Sequence, residues 1–100
     1  MNGTVPQVGG AVPPTITFLP GGTWNADTEA VEFWAELNGR RVRCRVFWEA
    51  LDGLDHSSGK NRLDLFALHQ RAVEAKVEER MLAGAFETDG TISIRQEDVA

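Results

Sequence analysis

The dipeptide Asn38-Gly39 lies between two runs in which apolar and polar residues alternate, Ala30 to Leu37 and Arg40 to Trp48. Asn-Gly is the favoured pair for a two-residue type I′ hairpin turn, because both central positions need positive φ, which few other residues accept. Such a turn sets the register: facing residues have numbers that sum to 77. Glu36 then faces Arg41, Trp34 faces Arg43 and Glu32 faces Arg45 on one side. Ala35 faces Val42, Phe33 faces Cys44 and Val31 faces Val46 on the other. A slip of one residue would send the arginines into the core, so the pairing is strongly specified. Each cross-strand pair contributes only about 0.2–1 kcal/mol; the agreement of all six is what constrains the chain.

The remaining elements assemble around this hairpin. Thr15-Ile16-Thr17-Phe18 alternates like a half-buried strand and is stopped by Leu19-Pro20-Gly21-Gly22. Trp24 follows in what reads as a loop, its ring covering one end of the core. Glu49 to Leu54 suggests one or two helical turns, and residues 55–59 a loop. Asn61 caps a long helix that runs to about Ala83 and stops at Gly84. Leu63, Phe66, Val73, Val77 and Met81 form its apolar stripe, widened by Leu65, Leu68, Ala72 and Leu82, with Arg71, Glu74, Glu78 and Glu79 on the wet side. Asp89-Gly90 turns into a last strand, Thr91 to Arg95, and residues 96–100 are expected to fray. Residues 1–14 hold three prolines and three glycines without a charge, which reads as a flexible N-terminal tail before a single α+β domain over 15–98. The expected fold is α+β, in the order β-β-β-α-α-β. Its antiparallel sheet of about four strands is covered on one face by one long and one short helix. Where the last strand joins is left open.

Composition narrows the function classes. Apolar residues make up 42% and charged residues 25%, the balance of an ordinary folded domain. The formal charge of −5 argues against a nucleic-acid partner, which calls for a basic field. No apolar run is long enough for a membrane-spanning helix. The first residues lack the basic and apolar regions of a signal peptide, and the lone Cys44 has no partner for an internal disulfide, so a cytoplasmic location is expected.

Reactive constellations are sparse. Gly53 to Asn61 brushes against a phosphate-binding loop but has five residues between its glycines and Asn61 where a hydroxyl is needed, so a solvated loop is expected. His56 and His69 are thirteen apart without a ligand at metal spacing, and Asp52, Asp55 and His56 are at most an adventitious cluster. His69 reads as a core-edge histidine bonded to the sheet. Cys44 points to the apolar face and reads as a small buried hydrophobe. No catalytic, cofactor or metal residue is therefore expected. The feature that stands out is the outer face of the hairpin, where Trp34, Arg43 and Phe47, with Arg41 and Arg45, are the candidate partner-binding residues. Three uses remain open. Glu32 and Glu36 could neutralise the arginines, with Arg43 stacked on Trp34, leaving an inert face. The face could take a protein partner or a second copy. It could also stack the bases of single-stranded RNA.

The ordered series Ile16-Thr17-Phe18, Trp24, Val31-Glu32-Phe33, Gly39, Cys44, Glu49-Ala50-Leu51, Phe66 with His69, Val73, and Gly90 with Ile92 resembles the small proteobacterial family called domain of unknown function 1488. The resemblance covers about residues 15–98. It implies a short α+β protein with an antiparallel sheet against helices. The family's biochemical role is unassigned, so it implies no catalytic residue. The resulting expectation is a small bacterial, non-catalytic protein-interaction or accessory module. The alternative is a weak RNA-binding or regulatory module using the outer face, and a small enzyme or metal protein comes third.

Overall fold

The computed structural model describes residues 13–54 and 61–99. Most of the tail expected over 1–14 and the loop at 55–59 lie outside the described residues. Strands β3 (Ala30–Leu37) and β4 (Arg40–Phe47) form the expected hairpin, with Val31 against Val46, Trp34 against Arg43 and Leu37 against Arg40. Asn38 and Gly39 take φ of 52° and 83°, the positive values that a type I′ turn requires. The Asn38 side chain also accepts from the Thr15 backbone N–H at 2.9 Å, which ties the turn to the neighbouring strand.

Strand β1 (Ile16–Phe18) pairs with Ala35–Leu37, and strand β2 (Thr23–Asn25) pairs with Ala30–Glu32. Since β4 holds the other side of β3, both share one edge. The chain takes five steps from Phe18 to Thr23 while β3 takes three from Ala35 to Glu32, leaving a two-residue bulge around Pro20 and Gly21. Gly21 sits there at φ +95°, and a Cβ on Gly22 would meet Phe66 Cε2 at 3.0 Å. Trp24 therefore belongs to a strand and not to a loop: backbone pairing to Val31 resumes as soon as the bulge is passed.

The order across the sheet is β1-β3-β4-β5, with β2 also on β3, giving five strands. The last strand, β5 (Ile92–Ile94), runs parallel to β4, which corrects the expectation of a wholly antiparallel sheet. Three helices separate β4 from β5. The helical crossover carries the chain from the end of the sheet at which β4 finishes back to the end at which β4 began, and parallel pairing follows from that.

Helices α1 (Trp48–Leu54), α2 (Arg62–Leu68) and α3 (Gln70–Leu82) cover one face of the sheet. Asn61 caps α2 as expected, its side chain accepting from the Asp64 N–H at 2.9 Å. The single long helix of the sequence reading is divided at His69, whose φ of −109° and ψ of 19° leave the helical region. Neither Gly nor Pro marks the spot; the break lets α2 set Leu65 and Phe66 into the core while α3 sets Val73, Val77 and Met81. The Phe33 and Phe66 rings meet at 5.0 Å. The buried stripe is narrower than expected, because Leu63, Leu68, Ala72 and Leu82 stay exposed. Against the fraying expected over 96–100, the described residues 96–99 are ordered. Residues Gln96–Val99 form helix α4, with Arg80 Nη1 3.0 Å from Asp98 Oδ1 and Val99 packed on the core. Among the described residues, no helix is long and apolar enough to cross a membrane.

Candidate interaction surface on the outer sheet face

Alternation along β3 and β4 turns Trp34, Arg41, Arg43, Arg45 and Phe47 away from the helices. Trp34 is 39% exposed, and two guanidinium groups lie over its ring, Arg41 at 5.6 Å and Arg43 at 5.2 Å from the centroid. On one side of Trp34 the bulge draws the sheet edge away and opens a hollow of about 380 Å³ lined by Pro20, Gly21, Thr23 and Glu32. On the other side a hollow of about 400 Å³ is floored by Asp89, Gly90 and Thr91.

The carboxylates expected to neutralise the arginines are occupied elsewhere or stand apart. Glu32 accepts from Asn25 Nδ2 at 3.0 Å. Arg45 donates through Nε to Ser93 Oγ at 2.9 Å and pairs with Glu87 at 3.4 Å. Among the described residues no ion pair joins Glu36 to Arg41 or Glu32 to Arg45, although the register sets them side by side. Arg41 and Arg43 form no ion pair there either.

Phe47 stands apart from this group. It is four residues beyond Arg43, about 13 Å along the strand, and it is half-buried beneath Arg45 at 5.7 Å and Arg95 at 4.7 Å. Glu87 bridges the two arginines, reaching Arg95 at 3.1 Å. The Ser93 hydroxyl donates to the Glu87 carboxylate, and with the two guanidinium groups this holds its pKa below the ordinary value against the opposing effect of burial. The five candidate residues thus divide into an open cluster of Trp34, Arg41 and Arg43 and a closed one of Phe47 and Arg45.

Arg95, Glu87 and Ser93 escaped the sequence reading because they lie more than forty residues from Arg45 and carry no local pattern. Arg62 escaped it too; its guanidinium is held between Trp24 at 4.4 Å and Trp48 at 5.1 Å, clamping α2 to the sheet edge and to α1. Cys44 is fully buried, and loss of hydration pushes its thiol pKa up to about 12, far from a nucleophile's range. His69 is half-buried at the junction of α2 and α3. Among the described residues, no three His, Cys, Asp or Glu side chains gather as metal ligands would.

A sheet packed on one face by helices and open on the other, with four antiparallel strands and one strand added by a helical crossover, defines a small one-sided α+β domain. The chain matches the family described as "Protein of unknown function (DUF1488)" over residues 16–94, and it belongs to that family. It is similar to the 1.60 Å crystal structure of a DUF1488-family protein of unknown function from Shewanella loihica PV-4. The two are 24% identical with a TM-score of 0.76, covering 84% of this chain and 96% of that one, a likeness that concerns the fold alone. No curated protein matches the chain.

Proposed function

We propose that this protein is a non-catalytic interaction module of the cytoplasm, whose outer sheet face binds a carboxylate-rich segment of a partner protein with Trp34 as its anchor. One observation carries this reading: an exposed tryptophan has two guanidinium groups over its ring that no ion pair among the described residues neutralises. Trp and Arg are the residue types that most often dominate interface energy. Guanidinium stacked on an aromatic ring is already ordered, so it loses less entropy on accepting a carboxylate in its planar fork. The hollows flanking Trp34 leave room for a partner's side chains on either side of the ring. Against a net charge of −5, this cationic spot is local, which favours a protein segment over the long phosphate track of a nucleic acid.

The test compares wild type with the double variant Trp34→Ala, Arg43→Ala, both confirmed folded by circular dichroism, as bait in quantitative affinity capture. A protein retained by wild type, lost with the double variant and released by salt supports the reading. Identical partners on both baits overturn it. Retention of RNA in place of protein, abolished by ribonuclease, overturns the partner class and favours base stacking on the same ring.

A further inference from the structure

Strand β4 is paired along its whole length on one side and along only part of it on the other. Leu37 and Arg40 flank the two-residue turn and exchange both backbone bonds, so Val42, Cys44 and Val46 bond to β3 while Arg41, Arg43 and Arg45 turn their N–H and C=O groups the other way. Strand β3 shows the complementary parity, with Trp34 O accepting from the Leu19 N–H at 3.0 Å on its far edge. Strand β5 meets β4 over Cys44–Val46, which engages both backbone groups of Arg45 and the C=O of Arg43. Among the described residues no other strand pairs with this side of β4. The N–H and C=O of Arg41 and the N–H of Arg43 are left without a strand partner. Gly90, at φ +85°, turns the chain aside before β5 begins. The hollow of about 400 Å³ between Trp34, Arg41, Arg43 and Gly90 lies where an earlier start of β5 would run.

We infer that this open stretch of β4 takes an extended segment of a partner protein as an added strand, one that carries an acidic, an apolar and an acidic residue in succession. The inference rests on the partner reading of the Trp34 face and deepens it by giving the partner's conformation. A strand laid here in either direction satisfies all three open backbone groups. Its alternate side chains come beside Arg41 and Arg43 on the outer face, whose guanidinium groups no ion pair among the described residues neutralises. The residue between them comes beside buried Val42, where an apolar side chain belongs. Asp89 shares the hollow but is engaged with Thr91, accepting from its N–H at 3.0 Å. A second copy of the chain is the wrong occupant. Twofold pairing of two β4 edges about Val42 sets Arg41 against Arg43 of the partner subunit, and like charges directly opposite are destabilising. The other edge of the sheet is a poorer template, because the bulge at Pro20 and Gly21 interrupts its line.

Nuclear magnetic resonance of the isotope-labelled full chain, titrated with the blocked peptide Ser-Thr-Glu-Val-Glu-Thr-Ser, tests the inference. At saturation, hydrogen exchange at the Arg41 and Arg43 amides should slow by about tenfold or more, while Val42 and Cys44, already bonded to β3, stay as they were. Replacing both peptide glutamates by glutamine should weaken binding about tenfold or more. Methylating the peptide amides one at a time should weaken it by a similar factor where the amide faces β4 and by less than about twofold at the amides on either side, since a strand offers alternate amides to one edge. A peptide that binds through Trp34 and Arg43 without protecting the two amides, or whose methylation series shows no alternation, overturns the added strand and leaves the Trp34 reading standing. Protection that persists in Trp34→Ala, confirmed folded by circular dichroism, supports the strand and removes Trp34 as the anchor. Absence of binding at millimolar peptide overturns the inference.

Discussion

Trp34 and Arg43 face each other across adjacent strands, and the Arg43 guanidinium carbon lies 5.2 Å from the centroid of the indole ring. The pair is local to the surface and exposed, so its coupling is modest. A double-mutant cycle between Trp34→Ala and Arg43→Ala in urea unfolding should return a coupling energy of about 0.5–1 kcal/mol. A coupling near zero would mean that water screens the stack, leaving Arg43 free to move away from the ring.

Cys44 lies directly across from Phe33 with no exposed surface. Its thiol should react with a bulky maleimide only as fast as the protein unfolds, since burial suppresses both access and the thiolate. Cys44→Arg should destabilise by on the order of 3–5 kcal/mol, because it buries a charge with no partner. Fast labelling of the native protein would contradict the hairpin register.

Glu87 links β4 and β5 through Arg45, Ser93 and Arg95. Its pKa is depressed on folding, so its contribution is fully present above the ordinary value of about 4.3 and is lost as pH falls through the lower folded value. Wild type should therefore be more stable than Glu87→Gln at neutral pH. The gap in melting temperature should close below about pH 4. A gap that stays constant from neutral pH to pH 3 would assign Glu87 no role in acid unfolding.

Two glycines should respond to alanine with opposite signs. At Gly22 a Cβ would stand 3.0 Å from Phe66 Cε2 and 3.2 Å from Val31 Cγ1, both held in the core. Gly22→Ala should cost about 1–3 kcal/mol through overpacking. At Gly53, within α1, the nearest atom is Val99 Cγ2 at 3.5 Å, an ordinary contact. Gly53→Ala should stabilise by about 0.4–1 kcal/mol, by reducing the freedom of the unfolded chain. Chemical denaturation of the two variants beside wild type reads both effects.

The hairpin was legible residue by residue, because Asn38-Gly39 is a local signal and a two-residue turn leaves one register in which Arg41, Arg43 and Arg45 point outward. The same local logic gave the Asn61 cap and the buried Val73, Val77 and Met81. Membership of the family was legible too, from the order of landmarks between Ile16 and Ile92. Tertiary structure decided the rest. Trp24 became a strand residue because β3 offered an unpaired edge beyond the bulge, and β5 became parallel because three helices intervene. The helix divided at His69 because α2 and α3 reach different parts of the core, and the chain end folded as α4 because Arg80 and Gly53 stand where Asp98 and Val99 can meet them. The outer face was named correctly as a face, but not as two clusters. Alternation along a strand tells which side a residue points to. Whether Arg45 reaches Glu32 across the hairpin or Ser93 and Glu87 on the next strand depends on a neighbour more than forty residues away, and that choice exists only once the sheet is assembled.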